Sequence, residues 1–114
     1  MVKLYIKPSC KVCQKATKYL KKKKIDFEEL DILVSPPAKK LLEKAVDAND
    51  PKSAFNTKSK GYKEHGIAEA TFNTKKEVVD LLRSNPDMIR RPLLARNEKA
   101  ILGFDEAVSA TFFG

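Results

Sequence analysis

The sequence predicts a single small α/β domain ordered β-α-β-α, a helical insertion, then β-β-α. Three observations carry that expectation. The chain has 114 residues, which suits one modest hydrophobic core and leaves too little for two. A β-branched and aromatic run, "VKLYI", is followed by a helical apolar repeat and then by a second strand-like run. Later, two short apolar runs, "LLA" and "KAILG", flank the polar "RNE" in the manner of a β-hairpin.

Each element follows from its residues. Pro8 with Ser9 ends the first strand. From Cys10 onward Val12, Ala16, Tyr19 and Leu20 recur at helical spacing, uninterrupted by Gly or Pro, which predicts an amphipathic helix of about four turns ending in "KKKK". In "IDFEELDIL" the apolar Ile25, Phe27, Leu30 and Ile32 alternate imperfectly with acids, as a second strand. One helix joins these two strands, so they should pair in parallel. Ser35 before Pro36 and Pro37 predicts the cap and first turn of a helix that buries Leu41, Leu42, Ala45 and Val46.

From Asn49 to about Met88 strand signals fade. "NDP" breaks the chain, "SAFNTKSKGYKEHGI" reads as short helical turns, and Thr74 with Glu77 makes a capping box before "VVDLL". Pro86 ends that helix and can start another turn. The helical insertion is expected over about 36–89, with the hairpin after "RRP" and a short closing helix over "FDEAVSATFF".

A hydrophobic share of 42% beside 33% charged residues describes a soluble globular protein. No segment approaches the roughly 20 apolar residues of a membrane span, and the first residues lack the apolar run of a secretory signal. A monomer in a reducing cytoplasm is expected, away from membranes. The net charge of +8 is unevenly placed: residues 1–24 hold nine lysines and no acid, whereas fourteen basic residues meet fifteen acids after Lys24. The excess therefore surrounds the only two cysteines. Lys11, Lys15, Lys18 and Lys22 fall on one helical stripe, which a solvated face explains; the same field favours a thiolate and attracts anionic partners. Direct nucleic-acid binding is not expected, because only Tyr5 and Tyr19 lie in this region for stacking.

Cys10 and Cys13, two residues apart, carry the chemistry. A disulfide between them would close too small a loop to restrict the unfolded chain much, so reactivity explains them better than stabilisation. Zinc requires four ligands, and only His65 and carboxylates remain, so no metal is expected. A c-type haem site would need His after Cys13, where Gln14 stands. His65, before a glycine, reads as a residue near a helix end. The bland alternative is two inert helix cysteines.

Redox chemistry follows from position. Cys10 meets unsatisfied N–H groups and the positive end of a helix dipole, where a thiol pKa can fall from about 8.5 to about 3.5–7.5. Cys13, one turn further in, is placed to attack a mixed disulfide formed at Cys10. Cys10 is the expected attacking thiol and Cys13 the resolving thiol. The Arg91–Pro92 bond of "RRP" is a candidate cis peptide entering a strand.

"LYIKPSCKVCQKATKYL", with "PP", "FNTKSKGYKE", "IRRPLL" and "LGFDE", resembles the arsenate reductase (ArsC)/Spx-like family of the thioredoxin superfamily over nearly the whole chain. The resemblance implies a thioredoxin-like core, a mixed parallel and antiparallel sheet, with the helical insertion between the second strand and the C-terminal hairpin. It implies that Pro92 is the cis-proline facing the active-site cysteine. It also implies that Cys10 is the nucleophile and that Arg91 is one of three arginines around an oxyanion. Asn56 and a residue near Ala100 or Ile101 stand where the other two are expected; Lys11 and Lys58 are candidate anion-binding groups.

No bound cofactor is expected, and glutathione is the expected co-substrate. The function implied is a thiol-dependent oxidoreductase acting on glutathione or on a thiol/disulfide protein partner. The Spx-like side of the family implies an alternative, a redox-sensing regulator that binds RNA polymerase without reading DNA. Such a regulator is expected to continue in a basic helical tail, whereas this chain stops soon after "LGFDE", which points to the short ArsC-related branch.

Overall fold

The computed structural model describes residues 2–7, 10–97, 99–104 and 112. Four strands are formed by β1 (Val2–Ile6), β2 (Phe27–Asp31), β3 (Leu93–Arg96) and β4 (Lys99–Leu102). The helices are α1 (Lys11–Lys22), α2 (Lys39–Ala45), α3 (Lys60–Glu64) and α4 (Lys75–Ser84), with 3-10 turns at Pro51–Ala54 and Pro86–Met88. The sheet order is β2-β1-β3-β4. β1 pairs in parallel with β2 and antiparallel with β3, and β3 pairs antiparallel with β4. This is the expected mixed sheet of a thioredoxin-like core, with the β-α-β unit and the hairpin where the sequence puts them.

Alternation along the strands divides the core between two faces. Leu4 opposite Leu94 packs with Val2 and with Ala16 and Leu20 of α1. Tyr5 opposite Leu93, together with Ala95, packs with Leu42 of α2 and Val78, Val79 and Leu82 of α4. Burying this many aliphatic side chains, at about 1.5–3 kcal/mol each, outweighs any local preference in the short helices.

Three local expectations need correction. α1 spans twelve residues, shorter than four turns, because Lys24 adopts φ 57 and the chain turns back. Ile25 N–H donates to the Leu20 carbonyl at 3.0 Å and Lys24 N–H to that of Lys21 at 3.1 Å, a Schellman closure made without glycine. β2 is shorter than the alternating run, beginning at Phe27. Ser35 does not cap α2, whose N-cap is Ala38 without a side-chain bond. Asp31 instead gathers the chain after β2, its carboxylate accepting from Leu33 N–H at 2.9 Å and its carbonyl from Ser35 N–H at 2.7 Å. Ser35 and Pro36, each before a proline, are also held away from helical backbone, so no helix can begin ahead of Pro37.

The capping box at α4 forms, with Glu77 N–H donating to Thr74 Oγ1 at 3.4 Å, while Glu77 reaches back to Asn73 N–H rather than to the cap itself. Pro86 starts a 3-10 turn as expected. The closing helix over "FDEAVSATFF" lies outside the described residues apart from Phe104 and Phe112.

The 54–56 segment of the insertion is stapled to the stretch that leads into β3. Phe55 bridges Ile89, Asn56 N–H donates to the Met88 carbonyl at 2.7 Å, and Arg90 N–H to that of Ala54 at 2.8 Å. These bonds carry the 52–59 loop to the C-terminal end of β1. Among the described residues no helix is long and apolar enough to cross a membrane.

Candidate active site

Where β1 ends, the Cys10 N–H donates to the Lys7 carbonyl at 2.9 Å and turns the chain into α1. Cys10 takes the N-cap position with extended backbone (φ −83, ψ 117), and its Sγ accepts from the Cys13 N–H at 3.3 Å. Cys10 is half-buried at the surface. Cys13, one turn on, belongs to the buried face of α1 with Ala16 and Leu20, and only 1% of it is exposed. Both are free thiols.

Their electrostatics differ in consequence. Burial pushes the Cys13 thiol up to about 12, reinforced by its hydrogen bond with the Cys10 side chain. A hydrogen bond from the Lys7 backbone opposes the rise, the charge of Cys10 adds to it, and the Arg91 guanidinium lowers it. Once Cys10 is bonded to another sulfur it can no longer bear a charge or share a proton with Cys13. The two lowering influences would then act against burial alone.

Arg91 reaches this point from the segment leading into the neighbouring strand, β3. Tyr5 of β1 is opposite Leu93 of β3, so the residues entering β3 lie beside the turn that leads to Cys10. The Arg91–Pro92 peptide bond is cis, as read from "RRP". Pro92 is buried, and its carbonyl accepts from Gly103 N–H at 2.8 Å, fixing the end of β4 to this segment. The Arg91 Nε is buried with no hydrogen-bond partner among the described residues.

In front of Cys10 opens a cleft of about 890 Å³, bordered by Lys7, Lys11, Lys58, Arg90 and Arg91. Asp87 is the one acid on its wall among the described residues, and Lys52, also there, already donates from Nζ to the carbonyls of Ala68 and Ala70 at 3.0 Å each. The cleft thus unites Cys10, Arg91, Lys11 and Lys58 of the residues singled out in the sequence. Cys13 lies behind Cys10, and Pro92 does not border the cleft.

Asn56 does border it, but its Oδ1 accepts from the Lys58 N–H at 3.1 Å and so holds its own loop. Ala100 and Ile101 lie on β4 and do not border it. Lys7 and Arg90 were not singled out; proximity to Cys10 in sequence and membership of "RRP" were the signals available. His65 caps the C-terminus of α3, as expected, and lies off the cleft. Among the described residues no group of His, Cys, Asp and Glu side chains could hold a metal ion.

Comparison with known proteins agrees with this anatomy. The sequence model of the ArsC family matches residues 5–112. The global transcriptional regulator Spx of Streptococcus pyogenes serotype M1 is 31% identical over 108 residues, covering 93% of this chain and 80% of the relative. The crystal structure of a possible arsenate reductase from Streptococcus mutans UA159 is 25% identical with a TM-score of 0.75, covering 96% of this chain and 98% of that one. An ArsC family related protein from Bacteroides fragilis has a TM-score of 0.81 at 24% identity, covering 96% and 97% of the two chains. That last likeness concerns the fold.

Proposed function

The chain belongs to the ArsC family, and on that footing we propose that it is a thiol–disulfide oxidoreductase in which Cys10 attacks and Cys13 resolves. The observation that carries this reading is the placement of an accessible sulfur at a helix cap, facing a cationic cleft, directly before a buried thiol. The Cys10 thiolate attacks one sulfur of a substrate disulfide, forming a mixed disulfide and releasing the other half as a thiolate that takes up a proton. Cys13 then gives up its proton and attacks the Cys10 Sγ. The Cys10–Cys13 disulfide forms, the second half leaves as a thiol, and two external thiols, glutathione in a reducing cytoplasm, restore the dithiol. Arg91 assists by favouring the thiolate of Cys13.

Disulfides suit this site better than arsenate. Holding a tetrahedral oxyanion against the sulfur calls for several convergent forks; Arg90 and Arg91 border the cleft, and Asn56, Ala100 and Ile101, where the other two arginines are expected, add none. Turnover of a peptide–glutathione mixed disulfide, with glutathione as reductant, should exceed that of arsenate by about a hundredfold in kcat/KM. Robust arsenate turnover with glutathione and glutaredoxin, and none on disulfides, would sink the reading.

The regulator Spx among its relatives favours a second reading, a redox-sensing module that binds RNA polymerase. Pull-down of RNA polymerase by the dithiol and disulfide forms separates the two. No binding in either state removes the regulator.

A further inference from the structure

Arg90 has no part in the exchange chemistry described above. It is exposed and borders the cleft beside Cys10, while its backbone is pinned through the bond from its N–H to the carbonyl of Ala54, itself fully buried. Its side chain reaches the end of β4, where Gly103 has φ +77. A Cβ at Gly103 would stand 2.7 Å from Arg90 Nε and 2.9 Å from both Cζ and Nη2. The guanidinium therefore rests where only glycine leaves space. Gly103 N–H donates to the Pro92 carbonyl, which ties this seat to the residue next to Arg91. Among the described residues neither Arg90 nor Arg91 is engaged in an ion pair.

We propose that Arg90, seated on Gly103, is a carboxylate-binding residue that makes Cys10 selective for disulfides bearing a carboxylate near the sulfur. The proposal rests on the thiol–disulfide reading and adds the substrate class. A planar guanidinium presents paired N–H groups that match the two oxygens of a carboxylate, whereas Lys7, Lys11 and Lys58 offer point charges that attract any anion. The seat restrains a side chain that would otherwise lose rotamer freedom on binding. Asp87, the acid on the same wall among the described residues, opposes this preference, and the cations Lys7, Lys11, Lys58, Arg90 and Arg91 around it outweigh it.

Three disulfides of similar length provide the test: 3,3′-dithiodipropionate (anionic), bis(2-hydroxyethyl) disulfide (neutral) and cystamine (cationic). The native protein should rank them in that order by kcat/KM. Arg90→Gln should lower the value for the anionic disulfide about tenfold and leave the neutral one within about twofold. Arg90→Lys should recover part of the loss. Equal effects on all three substrates, or none, would overturn the proposal.

A second readout is independent of turnover. In Cys10→Ser protein, 3-(methylthio)propionate, which carries the same carboxylate two carbons from sulfur and cannot exchange, should shift the Arg90 Nε–Hε resonance. A shift without turnover of any disulfide would keep the carboxylate seat and refute the exchange reading. Charge-blind turnover with an unmoved resonance would refute the seat and keep the exchange reading.

Discussion

The Cys13 backbone N–H donates to Cys10 Sγ at 3.3 Å, so the accessible sulfur caps the helix that carries the buried one. A change at Cys10 is felt by Cys13 through this bond, through the thiol contact and through charge. Any substrate bonded to Cys10 removes part of what keeps Cys13 protonated. The order of the two steps is thus written into the first turn of α1.

Alkylation should distinguish the two thiols. With the Cys13 thiol pushed up to about 12 and the residue buried, Cys13 stays in its thiol form at about pH 8. Iodoacetamide followed by mass spectrometry should label Cys10 alone in the folded protein and both cysteines in denaturant. Equal labelling in the folded state would remove the assignment of separate roles.

Resolution should be the alkaline-dependent step. Because Cys13 must lose a proton before it attacks, release from a preformed Cys10 mixed disulfide should quicken as pH rises from about 7 to 9 in stopped-flow measurements. Cys13→Ser should trap the mixed disulfide, and Arg91→Ala should slow resolution about three- to tenfold by removing a nearby positive charge. Unchanged resolution in Arg91→Ala would show that the guanidinium serves only packing.

The cap makes the choice of inactive variant matter. Cys10→Ser keeps an oxygen that can accept from Cys13 N–H and should leave thermal stability unchanged or raised. Cys10→Ala removes the acceptor and should cost about 0.5–1 kcal/mol in chemical denaturation, although both variants lack exchange activity. Equal stability of the two would mean that the sulfur contributes nothing as a cap.

Stability should fall on the alkaline side. The Cys13 pKa is raised in the folded state from an ordinary value of 9.0 to about 12, so the folded protein holds this proton more tightly than the unfolded chain does. That contribution is fully present below pH 9 and is lost as pH rises from 9 towards 12. Urea midpoints should decline over this window, and the decline should be shallower in Cys13→Ala. A parallel decline in both proteins would assign it to other groups.

Much of this was legible in the order of residues. Helical spacing over Val12, Ala16 and Leu20, the strand runs, the Thr74–Glu77 cap and Pro86 are signals between near neighbours, and each produced its element. The two-residue spacing of Cys10 and Cys13 likewise placed one sulfur at the cap and one inside, because a helix turns in about 3.6 residues. The start of α2 escaped, since Asp31 captured the chain that Ser35 might have capped. What the sequence could not reveal depends on contacts between distant segments. Pairing of β1 with β3 brings Arg91 to Cys10, bonds from residues 56 and 90 carry Lys58 into the same cleft, and Gly103 seats Arg90. Charge can be counted along a chain, but which cations converge on one sulfur is decided only when packing closes the sheet and fixes the insertion against it.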